Sequence, residues 1–559
     1  MRRKNIITFI GICCFIATLQ SCTKEKLDAK SGNQPTYNNI TNSSTRLLFF
    51  VSNLDMLVDS TRLTNWSYYA QPVALKQYFP YPTPYFPKTG KATSPYFIPQ
   101  EFINAQGAAT IKLYNLFAPQ DPILLIDSLV VQNDYNNPKD YYLADTVYAI
   151  PRPPQPSFDP SHIRIRIINL SGAGKYGGIA GATLAYSDGS PVSTVTSHIE
   201  KGKYSDYIDL PYGTYSFRVL VDSANGVQLH ALPPSGALYT VESNTNYSIG
   251  GGQYYIPTIS FQPGGVYSIA IFLMQKTVYQ FNDGSYPNIN IFTAIPDNTP
   301  TANLQYAKIQ AVNTSAGQGR SLQIDGGSPI AMPYGEATDY QILSAGKHNV
   351  KILDAANNSM AEKTIQLNGN DNQTLWTYVD ASGKTSIVPV QNNMGGINLG
   401  STNSDGSDPS NSISDPLKSG MVSITRFLNL CPDIPYATFT RANGTLFTNS
   451  SSDYATSPLA AQNLQPGMPS DPVSVPFPYV NLGTGSYSKV EVYQSQPNVV
   501  PGNKLTDIPT LQPANFSALS TAFYPQDLPS IEPGVYTVAL IGRNTGGAHP
   551  TMIIIKHNR

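Results

Sequence analysis

Cysteine and charged residues are scarce in this 559-residue chain, which contains four cysteines and 13% Asp, Glu, Lys and Arg. Cys13, Cys14 and Cys22 lie near the first residue, so Cys431 is alone in the rest of the sequence. This excludes a disulfide framework within the folded part, and it also excludes a CxxC metal site. The domains must therefore hold together by burying apolar surface.

Motifs for catalysis and for cofactors are also missing. The six histidines form no HExxH motif, and the sequence has no P-loop and no G-x-S-x-G nucleophile elbow. "GAGKYG" (residues 172–177) matches the dinucleotide pattern G-x-G-x-x-G, but the residues after it are strand-like, whereas a cofactor site needs a helix there. We interpret it as a hairpin loop, and we expect no catalytic residues, no metal and no cofactor.

Strand- and turn-forming residues are abundant. The chain has 36 Tyr, 46 Pro and 42 Gly, and no long amphipathic helical pattern stands out after residue 21. This composition predicts an all-β protein, and the length predicts several domains. The net charge is −1, and it becomes −4 if Arg2, Arg3 and Lys4 are removed with a signal peptide. Without a basic excess, nucleic acid is not expected as a partner.

The first residues are typical of a secretory signal. "MRRKN" is basic, and the apolar run that follows it, residues 6–19, is 14 residues long. A spanning helix needs roughly 20, so the run predicts a signal peptide over residues 1–21. "LQSC" (residues 19–22) resembles the bacterial lipobox, apart from Gln20. The resemblance implies lipidation at Cys22, and hence a membrane anchor. "TKEKL" partly resembles the signal that exports Bacteroidetes lipoproteins to the cell surface, so we expect an outer-membrane lipoprotein, with the exterior favoured over the periplasmic face.

Four segments of the chain open alike. Each opening combines a basic residue, apolar residues at period two and an Asn, and the four are "TRLLFFVSNLD", "IRIRIINLSG", "YAKIQAVNTSAG" and "VSITRFLNLCPD". The alternation predicts a half-buried strand. The Asn residues (Asn53, Asn169, Asn313 and Asn429) predict a turn at its end, because an Asn side chain can bond the nearby backbone.

A second shared element lies further along each segment. A Gly precedes a basic residue by five positions in the first three segments and by four in the last, and the basic residues are Lys112, Arg218, Lys351 and Lys489. Apolar residues flank each of them, so we expect each basic side chain to point outward from a strand.

The third segment carries a family resemblance. Its strand ends in Ile324-Asp325-Gly326, and Tyr334-Gly335, Tyr340 and Ala345-Gly346 follow. This pattern resembles the bacterial family called domain of unknown function 4397. The second segment matches nearly as well, and the first and fourth resemble diverged copies. The resemblance implies tandem Ig-like β-sandwiches in the cell envelope, and it brings no catalytic residues.

These patterns predict a domain order for the whole chain. A flexible tether over residues 22–43 follows the signal peptide, and a Pro-rich spacer (151–160) and a disordered linker (391–420) separate repeats. The predicted β-sandwich repeats span residues 44–150, 160–296, 304–390 and 421–559. We interpret the chain as four beads joined by flexible linkers.

An aromatic, proline-rich stretch over residues 77–97 is the best candidate for ligand binding. It contains seven aromatic residues and five prolines, so it cannot form a helix or a central strand. Our first interpretation is a lid that packs on the first sandwich. The second is a platform for a glycan, with Tyr78, Tyr81, Tyr85 and Tyr96 as the ligand-binding residues.

The predicted function follows from anchor and repeats. We expect a non-enzymatic, lipid-anchored cell-envelope protein that acts in binding or adhesion, with a polysaccharide or a surface protein as its ligand. The alternative is a structural subunit of a fimbria-like assembly, in which "TMIIIKHNR" (residues 551–559) would complete another chain, although it fits more simply as the last strand of the fourth domain. An extracytoplasmic enzyme is the third hypothesis.

Overall fold

The computed structural model places two compact units, Met1–Pro154 and Gln155–Arg559. The residues that the structure describes are 41–49, 54–58, 61–63, 66–69, 77–80, 95–115, 125–144, 146–152, 159–171, 181–222, 228–229, 241–243, 259–275, 288–298, 303–315, 319–392, 422–447, 458–469, 479–484, 489–516, 534–543 and 548–559. Within them the only helical segments are short 3₁₀ turns, at Gln100–Phe102, Ala442–Gly444, Pro458–Ala461 and Pro513–Phe516. The all-β fold class is confirmed.

Sandwich 1 lies in the first unit. Its strands are β1 (Asn42–Phe49), β2 (Leu54–Val58), β3 (Thr61–Arg62), β4 (Trp66–Tyr69), β5 (Gln77–Pro80), β6 (Pro95–Pro99), β7 (Ala108–Asn115), β8 (Leu125–Gln132), β9 (Lys139–Leu143) and β10 (Val147–Pro151). Two sheets have the orders β10-β9-β1-β6 and β3-β2-β7-β8, and β4 pairs with β5. Leu47, Ile111 and Tyr141 belong to the apolar cluster between the two sheets.

Sandwich 2 opens the second unit. Its strands are β11 (His162–Leu170), β12 (Gly181–Ala185), β13 (Ile199–Glu200), β14 (Ile208–Pro211), β15 (Thr214–Tyr215), β16 (Arg218–Asp222), β17 (Gln228–Leu229), β18 (Val241–Ser243), β19 (Ile259–Ser260), β20 (Val266–Gln275) and β21 (Asn288–Asn298). The main sheets are β14-β11-β20-β21-β18 and β13-β12-β16-β17, with β15 paired to β19. The core contains stacked rings, such as Tyr215 and Phe217 with centroids 4.9 Å apart.

Sandwich 3 is the most regular of the four. Its strands are β22 (Tyr306–Val312), β23 (Arg320–Ile324), β24 (Ile330–Met332), β25 (Gln341–Ser344), β26 (Gly346–Leu353), β27 (Ser359–Leu367), β28 (Asn372–Val379) and β29 (Thr385–Gln391). They form two four-stranded sheets with the orders β25-β22-β28-β29 and β24-β23-β26-β27. Ile309, Val350 and Leu375 are fully buried in the core between these sheets.

Sandwich 4 completes the second unit. Its strands are β30 (Val422–Asn429), β31 (Ala437–Thr440), β32 (Tyr479–Thr484), β33 (Glu491–Gln496), β34 (Val499–Lys504), β35 (Gly534–Ile541) and β36 (Thr551–Lys556). The sheets are β32-β30-β35-β36 and β31-β33-β34. β36 pairs antiparallel with β35, as expected for the last strand of this domain.

All four sandwiches share one strand arrangement. The opening strand of each, β1, β11, β22 or β30, pairs in parallel with a later strand, which is β9, β20, β28 or β35. That later strand also pairs antiparallel with the strand that follows it in the sequence. The first and fourth sandwiches therefore have the same strand arrangement as the second and third.

The Asn that ends each opening segment, which we call the signature Asn, forms the predicted turn in the three sandwiches where the structure describes it. Its side-chain oxygen accepts a hydrogen bond from the backbone N–H two residues later, and its side-chain nitrogen donates to a backbone carbonyl further along the chain. The pairs are Asn169 with Ser171 N (3.2 Å) and Ile199 O (2.9 Å), Asn313 with Ser315 N (2.9 Å) and Met332 O (3.2 Å), and Asn429 with Cys431 N (3.0 Å) and Ile434 O (2.7 Å). Asn53 lies outside the described residues. The repeated Asn is thus a structural residue.

Two sequence expectations about exposure were wrong. Arg218 was expected to point outward, but it is fully buried, whereas Lys112 and Lys489 are exposed and Lys351 is one-third exposed. Arg218 lies on β16 beside β12, all of whose residues are buried, so both faces of this sheet are covered. The opening strands were expected to be half-buried, yet β11 and β22 are buried on both faces over most of their length.

Candidate functional site

The structure describes one of the four predicted ligand-binding tyrosines fully. Tyr96 is half-buried on β6 and packs against the core of sandwich 1. Tyr78 lies on β5, where its backbone pairs with Tyr68, but its side chain lies outside the described part of the chain. Tyr81, Tyr85 and the lipidation residue Cys22 also lie outside it. Ligand binding by the four tyrosines therefore stays a prediction.

A buried ionic cluster fixes the end of the aromatic stretch. Arg46 and Arg152 both donate from Nε to Asp140 Oδ1, each at 2.9 Å, and Arg46 Nη2 also pairs with Asp140 Oδ2. Asp140 is completely buried. Both guanidiniums lie over the Phe97 ring, at 5.9 and 5.7 Å from its centroid. At this end the stretch packs into the domain.

Long polar side chains recur on the outer face of the opening strands. Three residues before the signature Asn stand Arg166, Gln310 and Arg426. Arg166 Nε donates to Ser268 Oγ at 2.8 Å, and Gln310 Nε2 donates to Thr374 Oγ1 at 3.1 Å, in each case on the parallel partner strand. Alternation alone predicts that such residues face solvent. Here they are buried, because other groups cover this face.

In sandwiches 3 and 4 that cover is His557. Its Nδ1 accepts from Gln310 Nε2 at 3.1 Å, and its Nε2 contacts Thr537 Oγ1 on sandwich 4 at 2.7 Å. Burial, and secondarily the positive charge of Arg426, lowers the pKa of His557 to about 3. The neutral imidazole is therefore a hydrogen-bonded bridge between the two sandwiches.

Residues 558 and 559 continue the bridge to sandwich 2. Arg559 N donates to Thr214 O at 3.1 Å, and Ser216 N donates to Arg559 O at 2.7 Å. The Asn558 side chain donates to Ser216 Oγ at 3.1 Å and accepts from Val535 N of sandwich 4 at 2.8 Å. Residues 557–559 thus contact all three sandwiches of the second unit, and we call this contact the junction.

An apolar cluster supports the junction between sandwiches 3 and 4. It combines Val312, Trp376 and Val390 with Leu428, Leu430, Ala539, Ile541 and Ile555, all 5% exposed or less. Burial on this scale stabilises an interface as it does a core, by about 25 cal/mol per Å². The prediction of β-sandwich repeats is confirmed, but the picture of separate beads did not anticipate these contacts.

Beside the junction, a pocket lies between sandwiches 2 and 3. Its lining includes Tyr212, Gly213, Thr214 and Ser260 from sandwich 2, and Lys308, Asn370 and Asn372 from sandwich 3. Lys308 is 7% exposed, and its Nζ lies 5.2 Å from the Tyr212 ring centroid and 4.8 Å from that of Tyr340. The Tyr340 hydroxyl donates to His557 O at 3.3 Å, which connects the pocket to the junction.

Burial also changes the titration of this lysine. Desolvation, with a further contribution from the positive charge of Arg559, lowers the pKa of Lys308 to about 7. The amine of Lys308 and the guanidinium of Arg559 are therefore close enough to interact. The Asp339 carboxylate pairs with Arg559 at 3.2 Å. In the sequence, Lys308 is only the basic residue of the opening "YAKIQAVNTSAG", and the pattern does not predict this site because Tyr212 and Tyr340 come from two different sandwiches.

Two classes of site are absent from the part of the chain that the structure describes. No three His, Cys, Asp or Glu side chains there are placed to hold a metal ion. Nor do the described residues include a helix that is long and apolar enough to cross a membrane.

Comparisons with known proteins give little further information. No protein family model matches the chain, and no curated protein does. A similar solved structure is the Bacillus anthracis TIE protein, which aligns with 60% of this chain and 50% of its own at 8% identity and a TM-score of 0.12. A TM-score this low does not establish a common fold.

Proposed function

We propose that this chain is a non-enzymatic binding or adhesion protein of the cell envelope, anchored by a lipid at Cys22 and facing the cell exterior. The junction carries the proposal, because it joins three β-sandwiches into one body. A body of this kind holds several loops and sheet faces at fixed spacing, which favours multivalent attachment over binding by independent beads.

The ligand class in this proposal is a polysaccharide, and the aromatic stretch of residues 77–97 is its binding element. Aromatic rings supply large contact areas, and prolines limit the entropy that the stretch loses on binding. Since Tyr96 and Phe97 pack into sandwich 1, the tyrosines that would contact the ligand are Tyr78, Tyr81 and Tyr85.

Affinity electrophoresis tests this proposal. Residues 44–559 are run through gels that contain different polysaccharides, beside a Tyr81→Ala/Tyr85→Ala variant. A matched control is Tyr135→Ala, since Tyr135 is 58% exposed in the same unit but lies outside the stretch. We expect at least one polymer to retard the wild type and Tyr135→Ala but not the double variant. Retardation of all three proteins, or of none, contradicts the proposed ligand site.

The second candidate is a self-assembling structural subunit. It is favoured by the backbone pairing of Arg559 with Thr214 and Ser216, because the same strand addition between two chains would link copies. This candidate predicts concentration-dependent oligomers that disappear when residues 557–559 are deleted. Sedimentation of a monomer at every concentration argues against it.

A further inference from the structure

The Lys308 pocket has the chemistry of a small ligand site. Its amine is buried, its lining includes the hydroxyls of Tyr212, Thr214 and Ser260 and the carboxamides of Asn370 and Asn372, and none of the lining residues is an Asp or a Glu. A buried ammonium normally has a counterion, because an unpaired charge is costly in a low-dielectric environment. The pocket therefore provides a cation without a carboxylate to neutralise it.

Two carboxylates near the pocket, those of Asp371 and Asp339, already have hydrogen-bond or ion-pair partners. Asp371, next to Asn372, accepts from Gln391 Nε2 at 2.7 Å and from Asn368 N at 2.8 Å. Asp339 pairs with Arg559 at 3.2 Å and is largely exposed. Among the residues that the structure describes, no carboxylate lies within ion-pair distance of Lys308.

Two aromatic rings and a stretch of backbone surround Nζ. The faces of Tyr212 and Tyr340 flank the amine at 5.2 and 4.8 Å. The Gly213 backbone closes a third side, since a Cβ at Gly213 would lie 2.9 Å from Nζ. The pocket lining also includes the hydroxyls of Thr214 and Ser260, which are 3.0 Å apart, and the carboxamide of Asn372, the Cα partner of Lys308 on β28.

We propose that this pocket binds a small monovalent anion, which accepts a hydrogen bond from Lys308 Nζ and links sandwich 2 to sandwich 3. Arg559 adds long-range attraction, because its positive charge acts on the same place. The small size of the pocket limits the ligand to a few atoms, such as chloride or formate. This site is independent of polysaccharide binding in the first unit.

Binding is coupled to a proton. Because the pKa of Lys308 is lowered to about 7, the empty site is largely neutral above that pH and must take up a proton to hold an anion. The titratable or charged groups around the amine are Tyr212, Tyr340 and Arg559, with Asp339 beside Arg559 and with Asp371, whose charge acts on Tyr212. We expect anion affinity to be constant below pH 7 and to fall tenfold for each pH unit above it.

Chloride titration of the whole chain tests the proposal. Unfolding is followed at pH 6 while chloride replaces isethionate at constant ionic strength. Once the site begins to saturate, each tenfold increase in chloride should raise the folding equilibrium constant tenfold. Formate should act like chloride, whereas benzoate, which is too large, should not. An equal effect of all the salts would indicate screening alone and overturn the proposal.

Three variants locate the effect. Lys308→Met keeps the length of the side chain but removes the charge, so the chloride dependence should disappear, while Lys347→Met, at an exposed lysine of the same sandwich, should keep it. Gly213→Ala keeps the charge and narrows the pocket, so it should weaken chloride binding even if Lys308→Met fails to fold. ³⁵Cl NMR line widths of the folded proteins provide a second readout. Unchanged chloride binding in Lys308→Met, or in Gly213→Ala, overturns the proposal.

Discussion

Acidification should weaken the junction through His557. The imidazole is buried, and the Gln310 amide nitrogen donates a hydrogen bond to Nδ1. A proton added at Nδ1 would point at this donor, and the Gln310 N–H would lose its acceptor. The pKa of His557 is lowered from 6.5 to about 3, so between these pH values the unfolded chain binds a proton that the folded chain does not. Stability is therefore unaffected above pH 6.5 and falls as the pH drops toward 3.

The magnitude follows from the size of the shift. Each pH unit below 6.5 costs about 1.4 kcal/mol, so the free energy of unfolding should fall by about 2 kcal/mol at pH 5 and about 3 kcal/mol at pH 4. Carboxylates also titrate in this range, so the quantity to measure is a difference between variants. In His557→Gln the neutral amide cannot take up the proton, and this part of the pH dependence should be absent.

Urea unfolding with a local fluorescent reporter measures this difference. Trp66 and Trp376 are the two tryptophans of the chain, and Trp376 is completely buried in the apolar cluster at the junction. In a Trp66→Phe background, the emission of Trp376 reports on this contact. We compare the free energy of unfolding between pH 7 and pH 4 for this protein, for His557→Gln and for a control, His549→Gln, whose histidine is exposed in sandwich 4.

The refuting result is well defined. The background protein and the His549→Gln control should lose about 3 kcal/mol more than the His557→Gln variant on going to pH 4. If all three lose the same amount, then His557 takes up its proton in the folded chain at the same pH as in the unfolded chain. That finding refutes the assignment of His557 as a buried neutral bridge.

Three further predictions concern single sandwiches. Asp140→Asn should lower the free energy of unfolding by about 3–5 kcal/mol, since it leaves two buried guanidiniums without a carboxylate. Thermal unfolding measures this loss, with Glu101→Gln, at an exposed residue, as the control, and a loss below about 1 kcal/mol contradicts the prediction. Asn429→Ala should lower the free energy of unfolding by about 1–3 kcal/mol for each buried backbone group that it leaves without a hydrogen bond. Asn503→Ala, at an exposed residue, is the control. Equal urea midpoints for the two variants would argue against a structural role of Asn429. Burial lowers the pKa of His348, but hydrogen bonds to Asp325 Oδ2 and to Ser344 O outweigh burial and raise it. The stabilisation from the protonated ring is therefore full below pH 6.5 and is lost as the pH rises through the raised pKa. His348→Gln should lose less stability than wild type between pH 6 and pH 8.5, and an identical pH profile would disprove this.

The repeats could be predicted from the sequence because their signals are local. Period-two alternation marks the opening strands, and an Asn that bonds the backbone two residues later needs no distant partner to be recognised. Asn313 and Asn429 therefore behave as the pattern predicts. Arg218 does not, because its burial depends on a sheet whose second face is covered by other parts of the chain.

The junction could not be predicted for a related reason. Gln310, Thr374 and His557 are polar, and a polar residue between apolar ones on a strand is expected to face water. Only the meeting of two sandwiches makes that face an interior one. The Lys308 pocket is hidden in the same way, since Tyr212 and Lys308 come from different repeats and no pattern within one repeat relates them.

The junction also has a consequence for the order of folding. Ser216 and Asn558 are 342 positions apart, and Gln310 and His557 are 247 apart, so these contacts are among the most non-local in the chain. The entropy of closing such loops increases only slowly with length, but contacts of this kind form late, after the local hairpins and their cores. Each sandwich should therefore fold first around its own core, and the second unit should then assemble in a slower docking step. A pulse of hydrogen exchange during refolding would show amide protection at Ser216 and Arg559 developing after that of β22 and β28.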